Sequence, residues 1–316
     1  MPKGESNSLA FCSPDAFREL FKKHGATKMA AILKCSERSI YRRRRVLERK
    51  APIFPPKKEH LNKEYPHRAT LTIENGTVIV GSDLHIWPGP ASTALRAFKK
   101  FCKDLKPAAV ILNGDVLDFP KISRHAAIGW EETPIPVDEI EAAQVHLYDI
   151  EQACGKAEKF WTLGNHDARF ESFIVQHAPQ LQAIKGTSLM DHFAMWRWTW
   201  SCWINDDVVV KHRFKGGIHA THTNTLNSGK TMITGHLHSQ KITPFTDYNG
   251  TRYGVDTGCC ADPNHAAFVN YTEDNPKNWT SGFLVLKFVH GQLLYPQLVT
   301  VWDADHVQYL GEVISV

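Results

Sequence analysis

The chain has 316 residues, 42% hydrophobic and 22% charged, with a net charge of +4. That balance is globular, neither disordered nor collagen-like, and the length suits one sizeable core with a smaller appendage. No apolar stretch reaches the roughly 20 residues of a membrane span, and the N-terminus lacks the apolar run of a secretory signal. A cytoplasmic protein without membrane contact is therefore expected. Seven cysteines without repeated spacing fit reduced thiols better than a disulfide framework. The adjacent Cys259 and Cys260 read as packed strand residues.

The charge is unevenly spread. Residues 1–70 hold 17 Lys and Arg against 7 Asp and Glu, whereas the remainder holds 20 against 26. A basic head on an acidic body suggests an arm that meets a polyanion. Of the 17 histidines, 14 lie in the acidic part, which points to metal chemistry.

The head reads as three short helices. Ser13-Pro14-Asp15 offers an N-cap, a proline at the first helical position and an acid in the first turn. Phe17, Leu20 and Phe21 follow at helical spacing until Gly25 supplies a stop. Thr27 can cap a second helix carrying Met29, Ala30, Ile32 and Leu33. Ser36 can cap a third, from about Arg38 to Arg49, with Ile40 and Leu47 inward. Two helices across a tight turn, the second one basic, make a helix-turn-helix pattern. The stretch MAAILKCSERSIYRRRRVLER resembles the DNA-binding helix pair of Fis-like bacterial regulators over about 20 residues. The resemblance implies nucleic-acid contact, DNA ahead of RNA, through Ser36, Arg38, Ser39, Tyr41, Arg42 and Arg43. Arg45 would join the phosphate contacts. A solvated basic helix or a packing arm is the alternative. Residues 1–50 are thus read as a helix-turn-helix domain, 51–69 as a Pro-rich basic linker and 70–316 as the main domain.

From residue 70 the pattern alternates strands and helices. The apolar runs Val78–Val80, Ala109–Leu112, Phe160–Leu163, Val208–Val210 and Met232-Ile233 read as strands, and 91–106 and 137–154 read as helices. GFLVLKFV, the turn His290-Gly291 and QLLYPQLVTVW read as a hairpin, with Pro296 favouring an edge. Sheet packed on sheet with helices outside is the expected architecture. Trp196, Trp198 and Trp200 alternate along one segment read as extended and, with Trp203, read as core or sheet packing. Base stacking by an exposed member is the alternative.

Each of the five runs is followed closely by a polar loop: Ser82-Asp83-Leu84-His85, Asn113-Gly114-Asp115, Gly164-Asn165-His166-Asp167, Lys211-His212 and Gly235-His236-Leu237-His238. In open α/β sheets such loops gather at one end. Asp83 with His85, and His236 with His238, share the spacing that projects two side chains from one face. Mixed oxygen and nitrogen donors suit Mn, Fe or Zn better than calcium.

The ordered series D-x-H, GD, GNHD, a later His and GHLH, across residues 76–262, resembles the calcineurin-like metallophosphoesterases. The resemblance implies an α/β fold, a β-sandwich flanked by helices, and two divalent ions, Mn ahead of Fe, Zn, Mg or Ni. By that resemblance Asp83, His85 and His238 hold one ion, Asn165, His212 and His236 the other, and Asp115 bridges them. His166 would act on the phosphoryl or leaving oxygen, with Asp167 orienting it and Asp118 a similar supporting acid. Two such ions activate a bridging water for in-line attack on phosphorus. The fourth motif departs from the family's His-Gly, reading His212-Arg213, so His219 and His222 stand as alternatives to His212. Arg169 is placed to reach a phosphate oxygen, with an ordinary helix-surface role as the alternative. The favoured function is a phosphodiesterase or nuclease brought to nucleic acid by its basic head. The alternatives are a phosphomonoesterase on protein, nucleotide or small metabolite, and a non-catalytic DNA-binding regulator.

Overall fold

The structure is a computed structural model that describes residues 12–48, 64–125, 130, 132–265, 268, 272 and 275–316. The expected helix end at Arg49 and most of the expected linker lie outside the described residues. The chain divides into two compact units, residues 1–62 and 63–316.

In the first unit, helix α1 (Pro14–Ile32) starts where Ser13 Oγ accepts the Ala16 N–H at 3.1 Å. The stop expected at Gly25 is a kink, with φ 69° and ψ −179°, so the first two expected helices run on as one bent element. Helix α2 (Glu37–Glu48) begins at Ser36, whose Oγ accepts the Ser39 N–H at 3.2 Å. Phe17, Phe21, Met29, Ala30 and Ile40 form the buried core of this unit.

The second unit runs β1 (Ala69–Leu71), β2 (Gly76–Gly81), α3 (Thr93–Leu105), β3 (Ala109–Leu112), α4 (Pro136–Cys154), β4 (Glu158–Thr162), α5 (Arg169–His177) and α6 (Leu189–His192). It continues with β5 (Arg197–Thr199), β6 (Cys202–Ile204), β7 (Val208–Val210), α7 (Ala220–Ser228), β8 (Thr231–Thr234), β9 (Lys241–Asp247) and β10 (Gly250–Asp256). The C-terminal strands are β11 (Gly282–Val289), β12 (Gln292–Leu293), β13 (Gln297–Val301), β14 (His306–Tyr309) and β15 (Glu312–Ser315).

One sheet has the order β15-β14-β13-β11-β2-β3-β4-β5, with β12 beside β11, and the other has β1-β6-β7-β8-β10-β9. Strands β2, β3, β4 and β5 are parallel neighbours, as are β7, β8 and β10. Period-two alternation explains how the larger sheet serves two layers. Val78, Val80, Ile111, Phe160, Leu284 and Leu286 belong to the core shared with β6, β7, β8 and β10 of the other sheet. Ile79, Val110, Leu112, Trp161 and Phe283 belong to the core that includes Phe98 and Phe101 of α3 and Leu147 and Ile150 of α4. This is the expected sandwich with helices outside.

Two local expectations need correction. Pro296 does not mark a sheet edge: it separates β12 from β13, and β13 lies inside the sheet between β11 and β14. Trp200 does not continue the face of Trp198, because β5 ends at Thr199. Trp196 and Trp198 are buried, whereas Trp200 is 41% exposed. Cys259 and Cys260 are buried free thiols, and burial pushes both up. No described helix is long and apolar enough to cross a membrane.

Candidate metal centre

The parallel strands β2, β3 and β4, together with β7 and β8, end in the five polar loops. Asp83, His85 and His238 offer ligand atoms within 4.8 Å of one another, and so do Asp115, His212 and His236. Asp83 ties the two groups together. Its Oδ1 lies 3.0 Å from His238 Nε2, and its Oδ2 accepts the His236 backbone N–H at 2.8 Å. His212, rather than the exposed His219 or His222, takes part in a cluster.

Backbone strain is concentrated here. Asp83, His85, Asp115, His236 and His238 all have φ between 40° and 73°, the left-handed region that side chains other than glycine rarely adopt. Close approach is the second device. A Cβ on Gly164 would lie 2.1 Å from Asp115 Oδ1 and 2.2 Å from its backbone nitrogen, and one on Gly114 would lie 2.5 Å from the His212 ring. Glycine at these two positions lets each loop close on a ligand residue carried by a neighbouring loop.

The donor atoms fit a pair of cations. Both ring nitrogens of His85, Nδ1 of His238, Nε2 of His212 and Oδ1 of Asn165 are buried without a hydrogen-bond partner, an arrangement that is costly unless something else satisfies them. His212 Nε2 sits 3.0 Å from Asp115 Oδ2 but lacks the alignment of a hydrogen bond, as two ligands of one ion would. Its other nitrogen, Nδ1, meets the Asn113 carbonyl at 2.8 Å, which turns Nε2 toward Asp115. Burial pulls the His212 imidazole down, but Asp115 and Asp83 overcome it and hold it at about 10. A field strong enough to keep that proton is one a divalent cation would neutralise. The clusters thus suit a dinuclear divalent metal site.

The support behind the site is where the structure departs from expectation. Asp167 does not orient His166. Its carboxylate accepts backbone N–H groups from Asp115, Val116, Leu117 and Gly164 and the indole N–H of Trp161, at 2.9–3.2 Å. It therefore braces the Asp115 loop, and burial together with the Asp115 charge pushes it up to about 6. Asp118 holds His166 instead, with Oδ1 2.6 Å from Nδ1. Burial pulls His166 down, yet Asp115 and Asp118 leave its pKa raised. Arg169 places Nη2 3.1 Å from His166 Nε2 and donates Nη1 to the Asp118 carbonyl at 2.7 Å.

Glu139, on α4, escapes sequence reading altogether. Fully buried, its Oε2 accepts the N–H groups of Asp118 and Phe119 at 3.0 and 2.8 Å, holding the loop that carries Asp118. Burial, with the Asp118 charge added, pushes its carboxyl up to about 8. Its acidic neighbours Asp138 and Glu141 gave no cue to separate it from an ordinary exposed helix face.

Residues 76–240 match the model of the calcineurin-like phosphoesterase family. The Gene 54 protein of Mycobacterium phage L5 is 27% identical over 244 residues, covering 71% of this chain and 93% of its own. The Gene 54 protein of Mycobacterium phage D29 is 26% identical over 239 residues, with the same coverage. Among solved structures, Vps29 of Entamoeba histolytica, complexed with Zn+2, aligns with a TM-score of 0.39 and 15% identity, over 76% of this chain and 98% of its own. A dimetal phosphatase from Danio rerio aligns with a TM-score of 0.36 and 9% identity, over 72% of this chain and 96% of its own.

Two outcomes follow from this packing. Gly164→Ala should cost the protein most of its bound metal, because the new methyl collides with the Asp115 backbone as well as its carboxylate. Elemental analysis after dialysis against Mn would show a content well below that of the parent chain. Glu139 gives a pH signature. Its folded carboxyl titrates near 8 against 4.5 for the free group, so the folded state holds a proton that the unfolded chain has lost between those values. Stability should fall as pH rises through that window. Urea unfolding at pH 6 and pH 9 should show a smaller drop for Glu139→Gln, whose amide oxygen can still accept both N–H groups.

Proposed function

The chain belongs to the calcineurin-like phosphoesterase family, and from that premise we propose that it is a metal-dependent phosphodiesterase or nuclease acting on nucleic acid. The observation that carries the reading is the pair of clusters, Asp83 with His85 and His238 and Asp115 with His212 and His236, each with its ligand atoms within 4.8 Å of one another. Asp83, His85 and His238 would hold one ion, Asn165, His212 and His236 the other, with Asp115 available to both. The mixed nitrogen and oxygen donors suit Mn, Fe or Zn, and Mn is the ion chosen for the tests. Divalent ions bound there supply Lewis-acid polarisation of the phosphate and a water acidic enough to be a nucleophile near neutral pH.

The chain's own groups do the rest. His166, oriented by Asp118 and carrying a raised pKa, is the group to hand a proton to the leaving oxygen. Arg169, fixed beside it, offers a guanidinium to a phosphoryl oxygen. Asp167 and Glu139 keep the Asp115 and Asp118 loops in register.

The first unit supports the nucleic-acid half of the reading. Arg38, Tyr41, Arg42 and Arg45 recur at i, i+3, i+4 and i+7 on α2, and all four are exposed. Ile40, Arg43, Arg44 and Leu47 take the opposite face. Arg43, expected at the nucleic acid, is half-buried over the Phe17 ring and donates to the Cys12 carbonyl. Arg44 lies over Phe21 and pairs with Glu48 at 2.6 Å. Ser39 Oγ is 2.9 Å from Ser36 Oγ, at the helix start. A Fis-like helix-turn-helix that presents Arg38, Arg42 and Arg45 to DNA accounts for this two-faced helix. The phage relatives favour a phage origin.

Metal content and turnover test the site together. The parent chain should bind about two Mn ions and hydrolyse a chromogenic phosphodiester. Asp115→Asn should lose metal and activity. His166→Ala should keep its metal but turn over about 100- to 10,000-fold more slowly. Equal metal loss in both variants would contradict the division of roles. A panel of DNA, RNA and chromogenic mono- and diesters reads out the substrate class, and hydrolysis of monoesters alone would overturn the nuclease reading. For the first unit, replacing Arg38, Arg42 and Arg45 with alanine should weaken duplex DNA binding. It should also flatten the salt dependence by about 0.9 per lost phosphate contact. An unchanged slope would remove α2 from the interface.

A further inference from the structure

Beside the metal centre lies a cleft of about 840 Å³. It opens on Asn165 and His212 and on Arg169, the residue fixed against His166. Its lining is unlike the rest of this acidic unit. Arg124, Lys211 and Arg213 join Arg169 there, and no Asp or Glu is among the described lining residues. A wall with four permanent cations and no carboxylate, in a region with more Asp and Glu than Lys and Arg, is built for a polyanion.

Charge alone would suit any phosphorylated ligand, so the aromatic residues decide the class. Trp200, Phe214 and Phe173 also line the cleft and are 41%, 43% and 38% exposed. Neither Trp200 nor Phe214 is on a loose segment. The Trp200 N–H is held by the Pro66 carbonyl at 2.9 Å, just past the end of β5. The loop of Phe214 is pinned where the Lys215 N–H meets the buried Asn224 Oδ1 at 2.9 Å. Lys211 and Lys215 approach the Phe214 ring to 5.7 and 5.8 Å, so this aromatic is flanked by cations. Cations interleaved with partly exposed aromatic rings, Trp200 foremost, form the pattern that binds single-stranded nucleic acid: cations track the backbone while rings stack on unpaired bases. A duplex hides its base faces and would leave these rings unused.

We propose that this cleft is a binding subsite for single-stranded nucleic acid, in which an unpaired base next to the scissile phosphate stacks on Trp200 or Phe214 while Arg213 and Lys211 hold the adjoining phosphates. This deepens the nuclease reading and rests on it for the position of the scissile phosphate. Its consequence is selectivity: ends, loops and gaps are taken in preference to continuous duplex. The shared ligand chemistry is that of an unpaired strand, which either DNA or RNA can supply.

Binding without turnover tests the subsite separately from the catalytic reading. The full chain carrying Arg38→Ala, Arg42→Ala and Arg45→Ala, which mutes the first unit, is titrated in EDTA with labelled dT and rU hexamers. An abasic hexamer and a hairpin duplex serve as comparisons. Both base-bearing single strands, or one of them, should bind more tightly than the abasic strand and the duplex. Trp200→Ala should weaken that binding about 5- to 150-fold, the range expected for loss of one base stack. Trp200→Tyr, which keeps an aromatic face, should restore most of it, and matching thermal unfolding curves would exclude a folding defect. Arg213→Ala should lower the salt slope by about 0.7, the share of one single-strand phosphate. Equal affinity for abasic and base-bearing strands, or an unaffected Trp200→Ala/Phe214→Ala double variant, overturns the proposal. So does preference for a phosphopeptide of the same charge. Failure of Mn-dependent diester hydrolysis with base-dependent binding intact would count against the catalytic reading instead.

Discussion

A carboxylate buried as fully as Asp83, Asp115 or Asp167 keeps its charge only where the protein replaces the solvation that water had provided. That requirement organises the second unit. Asp167 meets it with N–H groups drawn from the Asp115 loop, the Gly164 turn and an indole. Asp83 and Asp115 meet it partly with backbone N–H groups of His236 and His166 and partly with imidazoles. The imidazoles retain unpartnered nitrogens, and that remaining deficit is what gives the site its appetite for cations. Catalytic potential and local instability are therefore one property of these loops.

The fold holds such a cluster because parallel strands end together. Strands β2, β3 and β4 deliver their loops to one end of one sheet, and β7 and β8 deliver theirs from the other. Neither sheet contains the whole ligand set. The core between them, with Phe160 and Leu284 facing residues such as Val210 and Ile233, fixes the distance across which Asp83 reaches His238. Loss of packing there would be felt at the site without any ligand being touched.

Much of this is legible in the sequence because the signals are local. Short apolar runs followed by Asp, Asn and His mark the strands and their loops, and the Gly-bearing motifs mark the sharpest turns. What is not legible depends on backbone paths that no short window contains. Which acid faces His166 is decided by the left-handed Phe119 and by Glu139 on a distant helix, so of the two acids that the family resemblance offered, Asp118 takes the place beside His166 and Asp167 does not. Trp200 leaves the core because β5 stops one residue earlier, an event that alternating tryptophans do not announce. Arg43 turns inward because a guanidinium can cover an aromatic ring as well as solvent can surround it.

The wide spacing of the ligands also gives the protein a history during its synthesis. Asp83 and His238, in contact in the folded chain, are 155 residues apart. At ordinary translation rates that separation corresponds to roughly 8 to 30 s between the emergence of one and of the other. Until β8 and its loop have been made, neither cluster is complete, because His236 and His238 both follow that strand. A half-made polypeptide of this kind holds the reagents without the vessel: the last two histidines arrive with the loop after β8, when every other ligand has already been made.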